Sequence, residues 1–278
     1  MQVIGIDVAP GKGGHVFDGE SLECMSPERL SKYLKEEVGD DVLLAWDAPL
    51  TGPPDPCELT GDKHDLTIRQ IERFFRVKDG EQAPKGISVL EYGRCPHWTI
   101  SQHMLGLPRV SQWASDKLPF KLVTSDKRPS KGHYIVEVHP AVGLWLWFEE
   151  ERKNQPWTYK NKKQPTEDKN QPTNNKKPYE ILRDLADLLS QRMEKTHGIR
   201  VKGPDEKPDQ LDDDVLDAYA AWYLADRWMN DENHSVRLLG NAASGCFLVP
   251  DPDETLKDKF EYWLEKQGLS WMRRGALR

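Results

Sequence analysis

The residues of this chain that could do chemistry are four aspartates and a glutamate–histidine pair. Asp7 ends the apolar run QVIGID, and Asp47 ends DVLLAWD. Glu137 and His139 stand in HYIVEVHP, and Asp214 and Asp217 stand in LDDDVLDAYAAWYLADRWM. Acidic residues are depleted in strands and costly to bury without a partner. One at a strand end has little meaning, but several in comparable places ask what would hold them together. A hard divalent cation would, because Mg²⁺ is bound by a few carboxylates with waters and phosphates. Two such ions about 3.5–4 Å apart clamp the attacking and leaving oxygens of a phosphodiester. The ions also offset repulsion between acids that could not otherwise all ionise in one place.

The opening stretch MQVIGIDVAPGKGG offers a rival chemistry. A phosphate-binding loop reads G-x-x-x-x-G-K-[ST], with backbone amides around the phosphates and a hydroxyl on Mg²⁺. Here five residues separate Gly5 from Gly11, and Gly13 rather than a hydroxyl residue follows Lys12. The spacing and the last ligand both fail, which leaves Asp7 as a strand-end acid.

The elements that would carry these residues follow from the hydrophobic pattern. QVIGIDVA reads as a central strand ended by Pro10, and GGHVFDGESLECM as two short strands around a turn at Asp18-Gly19. Ser26 caps a helix with Pro27 at its first position, running through RLSKYLKEEVG. DVLLAWDAPL is another buried strand, so the first fifty residues read β-β-β-α-β. TIRQIERFF and WTISQHML read as helices within a weakly patterned insertion, 51–131. HYIVEVHP is a strand, AVGLWLWFEEE an apolar helix, and YEILRDLADLLSQRMEKTHG an amphipathic one. Between the last two, residues 152–177 are rich in Lys, Asn, Gln and Pro, which predicts a mobile surface loop. A strand at GCFLVP and a tail helix at ETLKDKFEYWLEKQG finish the chain.

The helix at LDDDVLDAYAAWYLADRWM decides between a metal site and coincidence. At 100° per residue, Asp214, Asp217, Ala218, Ala221 and Ala225 share one stripe. The alanines let that face approach a sheet closely. Acids favour the first turn of a helix, which accounts for Asp212 and Asp213, but Asp217 lies about a turn inside. It occupies a place where an apolar residue is expected.

Bulk composition narrows the partners. A net charge of −7 over 278 residues excludes a general positive field for nucleic acid, so any such contact needs a local basic patch. Cys24, Cys57, Cys95 and Cys246 form no C-x-x-C pair, which predicts neither zinc nor a disulfide framework and fits a reducing, cytoplasmic setting. No apolar run approaches the ~18 residues of a membrane span. Two residues apart on a strand, Glu137 and His139 would share a face. There His139 would move protons or bind metal, or simply be a hydrogen-bonded strand-end histidine. Arg69, Arg73, Arg94 and the KNKK and NNKKP runs either contact phosphates or solvate a surface. His97 and His103 read as surface residues.

GIDVAP, WDAPL, EVHPA and DDVLDAYAAW, in that order, resemble the DUF429 family, and DDVLDAYAA is similar to the D-x-x-D-A helix of RuvC-type resolvases. The resemblance covers roughly 1–50 and 133–250. It implies an α/β, ribonuclease H-like mixed sheet flanked by helices; with the weakly patterned stretch read as a large central insertion, the chain divides into one domain over 1–250 and a packed helical tail at 251–278. It also implies a predicted nuclease in which Asp7, Asp47, Asp214 and Asp217 bind Mg²⁺ or Mn²⁺, with DNA or RNA as the partner. Glu137 and His139 belong to a motif particular to the family. GRCPHW keeps Arg94 and Cys95 but places Pro96 and His97 where the family often has an acid. Two other readings stand beside the hydrolase. One is an actin-like or sugar-kinase-like phosphotransferase with Gly11, Gly13 and Gly14 lining phosphates. The other is a non-catalytic binding module on the same fold.

Overall fold

The β1 strand, Gln2–Ala9, alternates Val3, Gly5 and Asp7 on one side with Ile4, Ile6 and Val8 on the other, and both sides are covered. The computed structural model describes residues 1–9, 13–50, 71, 75, 120–153, 155, 157–160, 178–204, 210–241, 245–252, 254–266 and 268–271. Strands β2 (Gly13–Phe17) and β3 (Leu22–Met25) fold back from β1 as an antiparallel meander, turned at Gly19 with φ 100°. Helix α1 (Pro27–Glu36) starts where expected, Ser26 accepting from the Arg29 N–H at 3.2 Å. It returns the chain to β4 (Val42–Asp47), which lies parallel to β1.

Two further parallel strands extend the sheet beyond β4. They are the short edge strand β5 (Lys121–Leu122) and β6 (His133–Glu137), and the spatial order is β3-β2-β1-β4-β6-β5. Helices α2 (Pro140–Phe148), α3 (Pro178–His197) and α4 (Asp213–Asn230) follow, then a β7–β8 hairpin (Val236–Asn241 and Gly245–Pro250) and α5 (Glu254–Lys266). The result is a mixed six-stranded sheet with helices on both faces. Among the described residues, no helix is long and apolar enough to cross a membrane.

Each sheet face has its own core. Leu30 and Leu34 of α1 pack with Ile4, Ile6, Leu44 and Trp46 on one side. On the other, Val3, Leu43 and Ala45 pack against α4, which is itself covered by α2 and α3. That burial explains why α4 is apolar nearly all round. Within the expected insertion, Ile71 and Phe75 are helical and buried, and the Phe75 ring meets Trp145, Phe247 and Phe260. The expected helix at WTISQHML lies outside the described residues, as do Gly11, Lys12, Arg69, Arg73, Arg94, Cys95, His97 and His103.

The contact between β1 and α4 is close because neither side carries bulk. A Cβ added at Gly5 would lie 2.3 Å from the Ala218 carbonyl oxygen and 2.4 Å from the Trp222 nitrogen. Both are backbone atoms, so Gly5→Ala must push the helix off the strand. We expect the substitution to lower stability by about 2–3 kcal/mol, read as a fall in the denaturant midpoint. An unchanged midpoint would show that helix and strand have room for a methyl group at this contact.

Candidate metal centre

Three neighbouring strands place Asp47, Asp7 and His15 in a row, because Asp7 is in register with Asp47 across β1–β4 and with His15 across β1–β2. Strand parity puts Asp7 with Gly5, and Asp47 with Ala45, on the face that meets α4. The helix reaches this spot with its first turns. Asp212 caps it, accepting from the Val215 N–H at 2.9 Å, and Asp214 and Asp217 follow on the stripe that faces the sheet. One carboxylate oxygen from each of Asp7, Asp47 and Asp217 lies within 4.8 Å of the others, and all three residues are buried. A second group, Asp7, His15 and Asp214, is equally close and half-open to solvent. Asp7 belongs to both.

Burial sets the electrostatics. It is the main reason that Asp7 is held well above the ordinary carboxylate range, with Asp47 and Asp217 adding repulsion and Lys160 opposing it. Burial likewise pushes Asp47 up to about 7 against the pull of Lys160, while a hydrogen bond from Asp7 favours its charged form. Asp217 is also raised, again by burial, with Lys160 and Tyr159 working the other way. The cluster therefore keeps protons that isolated carboxylates would lose.

Two residues that sequence reasoning missed complete the site. The Tyr159 hydroxyl donates to Asp217 Oδ1 at 2.6 Å. Lys160 Nζ lies 2.5 Å from Asp217 Oδ2 and 3.9 Å from Asp47 Oδ2. Burial works against the Lys160 charge, but the surrounding acids outweigh it and hold the ammonium well above its usual range. The sequence places these residues in a Lys-rich surface loop. The structure instead buries Trp157 and Tyr159, and Arg152 stacks over the Trp157 ring at 5.3 Å while pairing with Asp184 at 3.2 Å. The aromatic pair in PWTYK was the available signal. His15 was missed because only the hairpin register brings it beside Asp7.

Glu137 and His139 go elsewhere. Glu137 shares the face of Ile135, opposite Asp47, and its Oε2 accepts from the Leu50 N–H at 2.7 Å. It thus fixes the turn that follows Asp47. His139 occupies the N-cap position of α2 without a side-chain capping bond, its ring 5.7 Å from Phe247. Their contacts lie in opposite cores, Leu50 with α1 and Phe247 with α4, because the chain turns into α2 at His139. Gly13 and Gly14 are ladder residues of β2, paired with Ala9 and Val8.

Residues 116–244 match the DUF429 family. The description of that family model is a protein of unknown function. The DUF429 match spans Glu137, His139, Tyr159, Lys160, Asp214 and Asp217, and it leaves Asp7 and Asp47 outside. No curated protein matches the chain, and no solved structure does.

The donors suit a hard cation. They are carboxylates, buried together, with more negative charge than burial tolerates. The same charge predicts a pH effect. A carboxyl whose folded value is about 7, against 3.8 unfolded, holds a proton in the folded state over that window. Its contribution is present at low pH and is lost as pH rises towards neutrality. Asp47→Asn should therefore match wild type only below about pH 4, gain on it as pH rises to about 7, and melt several degrees higher at pH 8 in chelator-treated protein. A constant difference across that range would contradict the assignment.

Proposed function

We propose that this protein is a divalent-metal-dependent phosphodiester hydrolase on a ribonuclease H-like fold, acting on DNA or RNA. The observation that carries the reading is the convergence of Asp7, Asp47 and Asp217, three carboxylates from two strands and a helix, within 4.8 Å of one another. The β-β-β-α-β start and the order β3-β2-β1-β4 support the fold. Asp7, Asp47 and Asp217 would hold Mg²⁺ or Mn²⁺, and Asp214 with His15 would extend the site towards solvent. A cation bound there supplies Lewis acidity at the phosphodiester and a nucleophilic water at neutral pH. The chain's own residues do the rest. Asp7 and Asp47 present their oxygens from rigid, paired strands, Glu137 holds the turn after Asp47 through Leu50, and Tyr159 fixes the orientation of Asp217.

One observation favours a second reading. Lys160 already pairs with two of the acids, as it would in a non-catalytic module that neutralises its carboxylates from within.

A panel of single- and double-stranded DNA and RNA, with a small phosphodiester beside it, separates the two. The hydrolase reading expects cleavage of at least one substrate that needs Mn²⁺ or Mg²⁺. It also expects a loss of about 100-fold or more in Asp7→Asn. No cleavage of any substrate, or full activity in Asp7→Asn, would refute it.

A further inference from the structure

We propose that Lys160 is a tethered cation that holds the acid cluster in the metal-free protein, and that a divalent cation must displace it in order to bind. The inference rests on the cation reading above and concerns how the site is regulated.

Both oxygens of Asp217 are engaged by the chain itself, Oδ1 by the Tyr159 hydroxyl and Oδ2 by the Lys160 ammonium. The ammonium also faces Asp47 Oδ2 at 3.9 Å, so it lies between the strand acids and the helix acid. A cation bridging Asp47 and Asp217 would need those same oxygens, and it would meet a positive charge beside them. Like charges this close repel strongly in a partly dry site. The ammonium has a way out, since the Lys160 side chain is 32% exposed. Its backbone does not need to move with it, because Trp157 and Tyr159 on either side of Thr158 are buried, and Arg152 clamps Trp157.

The device has a purpose in the fold. Three buried carboxylates need positive charge or protons at all times. A lysine on an anchored segment keeps the site formed when cation is scarce, and it sets a threshold concentration for loading.

Two measurements at pH 8 test this. In the first, Mn²⁺ is titrated calorimetrically into wild type and Lys160→Met, with circular dichroism to confirm that the variant is folded. Removal of the competitor should tighten binding by about tenfold or more. The second uses wild type alone and so does not depend on the variant. A short pulse of acetic anhydride, read by peptide mass spectrometry, should label Lys160 several times faster with Mn²⁺ than without, while exposed Lys121 is unchanged. Wild type that binds Mn²⁺ with equal or weaker binding in Lys160→Met, or with no change in Lys160 labelling, overturns the displacement and leaves the metal reading standing. Absence of Mn²⁺ binding in both proteins overturns both.

Discussion

The close approach of α4 to β1 is the constraint on which the remainder of the site depends. Backbone meets backbone there because Gly5 has no side chain and Ala218 has only a methyl. Two residues along the strand from Gly5 is Asp7, and one residue along the helix before Ala218 is Asp217. The contact that seals the core thus also sets the distance between the acids. Parallel pairing of β1 with β4 then brings Asp47 level with Asp7. A bulkier residue at either point would separate carboxylates that otherwise lie within 4.8 Å.

Such a cluster is costly. Buried acids can be neutralised by protons, by hydrogen bonds or by positive charge. All three are present here. Asp7 and Asp47 hold protons to unusually high pH, Tyr159 donates to Asp217, and Lys160 supplies an ammonium. Each is a partial measure, and a divalent cation would replace them together. The three carboxylates are thus a group that could hold a cation.

Much of this was legible in the sequence because it depends on short-range periodicity. Alternation put Asp7 and Asp47 at the ends of buried strands, and the 100° stripe put Asp217 beside three alanines on the sheet-facing side of α4. The readings that did not carry through to the structure each needed information from outside the local pattern. Strand parity predicts a common face for Glu137 and His139, but parity holds only while the chain stays extended, and it turns into α2 at His139. Lys160 lies in a segment whose composition resembles solvated loop, and its contact with Asp217 spans 57 residues of sequence. The edge strand Lys121–Leu122 has two residues and no period to detect. His15 becomes part of the site only through the hairpin register.

The most direct test is anomalous diffraction at the manganese edge from crystals grown with Mn²⁺. The account predicts a peak in contact with Asp7, Asp47 and Asp217, with the Lys160 side chain turned away from it. A map with no peak there, and with Lys160 still paired to Asp217, would contradict it.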